Sequence, residues 1–277
     1  MILGYVIKIL EQEMQNDMDD EYLALIRKNL EVCSHYCPKF GQGGKKGLSF
    51  DDFQQLYDND PFYHWFGLST PAFYSAHRVA GGITSVYRQI GLGMESVFRK
   101  ILQDQLGQTE EESCWSYEIP DLAAGSKSRK LSLDGRILPD CIKGKKRRVI
   151  IQNWIQDAKS IVGGSLEILG VVFECRQGYK SKDSKRQNAD IANASSAYKY
   201  QYLPCVITFS QQIDSDIVQR YRKANWLVLT GSLNGSPHES TYVFIKDILG
   251  YDLAGFFERN QQILRDDVDK IIHRLLD

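Results

Sequence analysis

The chain of 277 residues predicts a mixed α/β fold, a central sheet flanked by helices and preceded by an N-terminal helical segment, on three observations. Apolar residues recur at helical spacing up to about Pro71 and again over residues 83–106. From Cys114 onward the period shortens to strand-like runs. Helical segments then separate those runs at the spacing of α/β units.

The elements follow in order. Ile2, Tyr5, Val6, Ile9 and Leu10, then Tyr22, Leu23, Leu25, Ile26 and Leu30, form the first helical stripes, and Ser49 with Asp52 N-caps a short third helix through Phe53 and Leu56. The glycines and lysine pair between Pro38 and Gly47 mark an exposed loop. Residues 1–70 are therefore assigned to a small helical subdomain, with the aromatic run Pro61-Phe-Tyr-His-Trp-Phe66 in its core, and residues 71–277 to a second domain. Thr70-Pro71 opens another helix, Gly81-Gly82 interrupts it, and an amphipathic segment follows with Val86, Ile90, Met94, Val97, Ile101 and Leu102 inward. Residues 129–140 read as two short strands turning at Asp134-Gly135, a hairpin signal. Val149-Ile-Ile-Gln and residues 169–174 read as strands. A polar helix over 185–200, a strand over 205–209, a helix over 213–222 and a strand over 226–230 come next. Two amphipathic helices close the chain, suited to covering the sheet or building a dimer interface.

Composition narrows the class. Hydrophobic content of 43% and charged content of 25% are ordinary globular usage, which excludes collagen-like and low-complexity chains. No apolar run reaches the roughly 18–20 residues of a membrane span, and the opening decapeptide reads as a helix rather than a signal. Six scattered cysteines suit a reducing compartment, so a cytoplasmic location is expected. Cys33-Ser-His35-Tyr-Cys37 lacks the second ligand pair that structural zinc needs, and reads as packed cysteines. His64 and His77 have no nucleophile beside them; no catalytic triad, phosphate loop or dinucleotide fingerprint appears, and no organic cofactor is expected. A net charge of −1 leaves nucleic-acid binding open, because the local field decides it.

Three segments carry chemistry. Pro139-Asp140 ends the expected hairpin, Glu174-Cys175-Arg176 ends an apolar strand, and a basic polar run extends from Lys180 to Asn188. Two carboxylates brought together by neighbouring strands make a hard oxygen site of the kind Mg²⁺ takes, with water and substrate phosphate completing its shell. Asp140 and Glu174 would supply the carboxylates, and the Cys175 carbonyl a further ligand. Arg176, two residues beyond Glu174 and so on the same strand face, is placed to neutralise a scissile phosphate. Ile119-Pro120-Asp121 is a competing copy of the Pro-Asp dipeptide, set aside because it enters an irregular stretch.

Proline-aspartate followed by an apolar strand ending in Glu-x-basic resembles the active-site motif of the PD-(D/E)xK nucleases, over residues 83–230. The usual last residue is lysine. Arginine stays protonated and cannot act as a base, so the resemblance implies a phosphate- or water-orienting role for Arg176 and keeps Lys180 as reserve for the amine. The run Lys182-Asp183-Ser184-Lys185-Arg186-Gln187-Asn188 resembles the recognition stretch of restriction enzymes that read CCGG or CCNGG cores. Lys182, Asp183, Lys185, Arg186, Gln187 and Asn188 are thereby implied to contact DNA, through cation forks on guanine and a carboxylate on cytosine, although Ser184 stands where that group often has arginine. Residues 91–100 resemble the glutamate-bearing helix that precedes the catalytic strands, making Glu95 a candidate near the metal, against the plainer reading of an i,i+4 pair with Arg99. Lys143-Gly-Lys-Lys-Arg-Arg148 reads as a basic turn, tracking phosphates or merely solvated.

The resemblance implies a type II restriction endonuclease: a Mg²⁺-dependent enzyme cutting double-stranded DNA at a short site, as a homodimer with one active site per strand. A repair or nicking nuclease of the same fold, and a DNA-binding protein without activity, are the alternatives.

Overall fold

The computed structural model describes residues 2–41, 46–120, 128–179 and 184–276. They form a mixed α/β structure with a helical majority and a mixed sheet. The helices are α1 (Ile2–Glu31), α2 (Phe50–Asp58), α3 (Pro61–Trp65), α4 (Pro71–Leu106), α5 (Glu110–Ser113), α6 (Lys145–Ile161), α7 (Ser184–Lys199), α8 (Ser215–Lys223), α9 (Thr241–Val243) and α10 (Leu253–Leu276). The strands are β1 (Trp115–Pro120), β2 (Ser128–Leu133), β3 (Gly135–Ile137), β4 (Gly170–Arg176), β5 (Tyr202–Thr208) and β6 (Leu227–Leu229). Among the described residues no helix is long and apolar enough to cross a membrane.

The chain divides into two compact units, 1–93 with 259–277, and 94–258. The division falls at Gly93, inside α4, and at Arg259, inside α10.

In the first unit the two expected N-terminal helices are one 30-residue helix. Tyr22, Ile26 and Leu30 of α1 are buried, as is Phe53 of α2, whose ring packs on Phe40, Tyr57 and Tyr74. Ser49 caps α2 as expected, accepting a hydrogen bond from the Asp52 amide. Arg259 fastens α10 to α1 through a pair with Asp19, Nε to Oδ2 2.7 Å. Gly81 and Gly82 do not interrupt α4. Their missing side chains admit Tyr36 and Leu275: a Cβ at Gly81 would lie 1.9 Å from the Tyr36 hydroxyl, and one at Gly82 2.5 Å from a Leu275 methyl. The aromatic run on α3 is not core. Trp65 and Phe66 are 78% and 67% exposed, and α3 has no buried residue, being held by the Asp60 cap and the stacking of Tyr63 on Tyr57. Cys33 is buried beside Ser85, and the half-buried Cys37 donates its thiol to the Leu48 carbonyl.

The second unit is built on a four-stranded sheet of order β3-β4-β5-β6, with β3 antiparallel to β4 and the other pairs parallel. β4 and β5 are buried along nearly their whole length, as strands covered on both faces must be. On one face Val172 and Val206 join Ala194 and Ala197 of α7, Ile217 and Tyr221 of α8, and Trp226. On the other, Phe173 meets Phe98 of α4 edge-on at 5.1 Å and Phe244 at 5.7 Å. The π-helical turn Phe244–Leu249 follows α9 and buries Phe244, Ile245, Ile248 and Leu249.

Two expected elements differ. The hairpin does not turn at Asp134-Gly135; β1 pairs with β2 over Trp115–Pro120 and Ser128–Leu133, and the chain continues through Asp134 into β3, which pairs with β4. Gly135 keeps a negative φ, so no primed turn forms. Its lack of a side chain instead lets α4 approach, since a Cβ there would lie 2.9 Å from the Phe98 ring. Val149-Ile-Ile-Gln lies within α6, not a strand: Ile151, Trp154, Ile155 and Ala158 are its buried residues, a helical spacing that the three-residue apolar run concealed. The basic stretch before it is no free turn either. Arg147 donates to the Ile248 carbonyl and Arg148 to that of Ile142, while Lys145 and Lys146 are exposed. The closing segment is one helix, α10, rather than two.

Candidate functional site

The site is set by strand register. Gly135 pairs with Phe173 at the end of the antiparallel β3–β4 ladder, and Asp134, just before it, lies beside Glu174, on whose carboxyl its charge acts. The Asp134 amide donates to the Phe173 carbonyl at 2.8 Å, and its Oδ2 accepts from the Cys175 amide at 2.8 Å. That second bond, side chain to backbone, fixes the Asp134 carboxylate at the end of the ladder. Arg99 of α4 donates to the Asp134 carbonyl from outside the sheet at 3.1 Å.

Glu174 and Arg176 project from the same face of β4. The Arg176 guanidinium contacts Glu174 Oε1 through Nη2, and the same nitrogen donates to Asp190 Oδ1 of α7 at 2.8 Å. Asp190 Oδ2 in turn accepts from the Tyr221 hydroxyl of α8, and Tyr179 and Tyr221 are hydroxyl to hydroxyl at 2.6 Å. All three charged side chains are at most 10% exposed, so their interactions run at low dielectric.

The electrostatics follow. Burial pushes the Glu174 carboxyl well above the ordinary carboxylate range; Arg176 pulls it back, and Asp134, Asp190 and Glu95 push it up again. Burial likewise raises Asp134, with the Cys175 amide, Arg176 and Arg99 opposing and Asp190 adding to the rise. Burial alone would lower Arg176, but Glu174, Asp190, Tyr179 and Asp134 together hold it above its ordinary value, so it stays a cation. Asp134, Glu174 and Asp190 thus share the Arg176 guanidinium, and Arg99 acts on Asp134 as well.

The expected residues sort as follows. Glu174, Arg176 and the Cys175 backbone are together, and Glu95 is near enough for its charge to act on Glu174 and Cys175. Asp140 is not with them. It lies in the 3₁₀ turn Pro139–Cys141, exposed, at the opposite end of β4. β3 ends at Ile137, paired with Val171 near the start of β4, whereas Glu174 lies towards its other end. Asp134 takes the position expected of Asp140. The competing Asp121, Lys180, Lys182 and Asp183 lie outside the described residues, as do the side chains of Lys185, Arg186 and Gln187 in the first turns of α7. Asn188 is exposed and accepts a hydrogen bond from Arg220.

Asp190 and the tyrosines went unread in the sequence. A signal was present: Asp190, Ala194 and Ala197 recur at i, i+4 and i+7, an inward stripe on a polar helix in which the first member is charged.

Among the described residues no group of three or more acidic, cysteine or histidine side chains stands ready around one point to hold a metal. The carboxylates of Asp134 and Glu174 are the oxygen donors here that a hard divalent ion would use. No protein-family model matches the chain, and neither a curated protein nor a solved structure matches it significantly.

Proposed function

We propose that the chain is a Mg²⁺-dependent DNA nuclease of the PD-(D/E)xK type with a restriction-endonuclease-like core, in which Asp134 and Glu174 hold the metal. One observation supports the reading: Asp134, bound to the Cys175 amide, acts on the Glu174 carboxyl, with Arg176 two residues on, in a sheet whose next strand runs parallel after the α7 crossover. Two carboxylates and a cation near one strand end support the reading, with Asp134 in place of the expected Asp140.

Mg²⁺, when bound, would polarise the scissile phosphate and acidify a water. The Asp134 carboxylate is held in a fixed orientation by the Cys175 amide, so its geometry costs no reordering when DNA arrives. Arg176, permanently charged, supplies positive charge to the attacked phosphate and does not serve as a base. Burial is the main reason Glu174 holds its proton, with Asp134, Asp190 and Glu95 adding to it; a divalent cation bound beside it would favour the carboxylate form. Double-stranded DNA cut at a short site by a homodimer, in the manner of a type II restriction enzyme, remains the favoured biological form of this chemistry.

Arg176 already paired with two carboxylates favours a second reading, a DNA-binding protein in which the guanidinium replaces the metal. Plasmid digestion with Mg²⁺ or Mn²⁺ separates the readings. Discrete fragments support restriction, nicks or smears support a repair or nicking enzyme, and a gel shift in Ca²⁺ with no cutting supports the second reading. Asp134→Ala and Glu174→Ala should each abolish cleavage while Asp140→Ala keeps it; full activity of Asp134→Ala removes that residue from the site.

A further inference from the structure

We infer that Asp190, braced by Tyr221 and Tyr179, is the positioning residue that fixes the Arg176 guanidinium beside the carboxylates of Asp134 and Glu174, an inference that rests on the nuclease reading. Arg176 is a long side chain whose neighbour on the same strand face is Glu174, and with that partner alone it would fold onto one carboxylate and neutralise it. Asp190 draws the same Nη2 from the α7 side, so the guanidinium is shared between two acids rather than collapsed on one.

The orientation of Asp190 is fixed in turn. Oδ1 accepts from Arg176, and Oδ2 accepts from Tyr221. Tyr179 lies hydroxyl to hydroxyl with Tyr221 at 2.6 Å and itself donates to Asp190 Oδ2 at 3.4 Å, so both tyrosines brace that oxygen. Three elements contribute: Tyr179 from the segment after β4, Asp190 from α7, Tyr221 from α8. Ala194 and Ala197, small and buried on the same side of α7 as Asp190, let that helix sit close enough to β4 for the contact.

Asp190→Asn preserves shape and removes charge, and Tyr221→Phe removes one hydroxyl. For duplex cleavage with Mg²⁺, Asp190→Asn should lower kcat on the order of 10-fold to 100-fold, as loss of an orienting partner does, with DNA affinity in Ca²⁺ unchanged. Tyr221→Phe should lower kcat less, and the double variant should be no slower than Asp190→Asn, because the tyrosine acts only through the aspartate. Losses that multiply, or wild-type kcat in Asp190→Asn, overturn the inference. A second readout does not need activity: the side-chain nitrogen resonances of Arg176 should report restricted rotation in the wild type and free rotation in Asp190→Asn. Equal mobility in the two proteins overturns the anchoring even if the wild type cuts DNA. A wild type that cuts nothing with Mg²⁺ or Mn²⁺ overturns the nuclease reading, and the resonances alone then decide whether Asp190 holds Arg176.

Discussion

Removing the Arg176 guanidinium tests the charge logic of the site most directly. In the folded chain it is the cation contacted by Glu174 and Asp190, with Asp134 also in its field, and its side chain is 10% exposed. Breaking one partner from a buried ion pair costs about 3–5 kcal/mol, because the remaining charge stays desolvated without compensation. We expect Arg176→Ala to fall within that range at pH 8, read by urea denaturation as a lower midpoint at unchanged slope.

The penalty should depend on pH. Glu174 keeps its proton to higher pH in the folded chain than in the unfolded one, whose value lies near the ordinary glutamate pKa of about 4.3. Between those two values the folded state binds more protons, so stability falls as pH rises through the window. Without Arg176 the carboxylate is harder still to ionise. The deficit of the variant should therefore be smaller where Glu174 is protonated in both proteins and complete only above the still higher pKa the carboxyl takes in the variant. Mg²⁺ offers a second control, since a divalent ion on Asp134 and Glu174 would replace the lost charge. At a concentration 100 times its Kd it stabilises by about 2.7 kcal/mol, and the gain should be larger for Arg176→Ala than for the wild type. A deficit that is equal at pH 5 and pH 8 and indifferent to Mg²⁺ would refute the idea that these carboxylates form one cation-seeking field.

Further outcomes follow from the same geometry. Glu174→Gln should gain stability relative to the wild type as pH rises above the ordinary glutamate range, because the amide has no charge to bury; parallel stability curves from pH 4 to 8 would count against the raised carboxyl. Asp134→Asn should weaken Mg²⁺ binding measured by calorimetry, whereas Asp140→Asn, on the exposed turn, should bind as the wild type does. Gly170→Ala puts a Cβ 2.3 Å from the Ile137 carbonyl and should cost about 3 kcal/mol by forcing β3 off β4; a thermal midpoint equal to the wild type would show that the pair can shift.

The sequence carried the order of the elements better than their joins. β4, β5 and β6 are short apolar runs bounded by breakers, α7 and α8 lie between them with recognisable polar faces, and all were legible. What misled was local chemistry read without its tertiary partner. Asp-Gly is a turn dipeptide by intrinsic preference, yet at 134–135 the glycine serves the close approach of Phe98 and the chain runs on. Gly81-Gly82 reads as a break, yet Tyr36 and Leu275 occupy the space those residues leave, so α4 continues. Val149-Ile-Ile has β-branched character, and only its continuation to Trp154 and Ala158 reveals the helical period.

The same limitation governed the choice of aspartate, and it shows why register matters more than the dipeptide. A strand flanked by two nearby acids, Asp134 and Asp140, offers the sequence reader two metal ligands six residues apart, and the preceding proline favours the second. Antiparallel pairing decides otherwise: moving along β3 by six residues moves the facing position on β4 by six in the opposite direction, so only one of the two acids can stand level with Glu174. The backbone amide of Cys175 then selects it, because a donor aimed at the strand end needs an acceptor there and Asp134 Oδ2 is 2.8 Å away. Any substitution that shifted the β3–β4 register by two residues, which preserves the facing of side chains, would bring a different residue level with Glu174 and dismantle the site while leaving the sheet intact. The chemistry assigned to this chain therefore depends less on owning the right acids than on a three-residue strand, Gly135–Ile137, keeping its place.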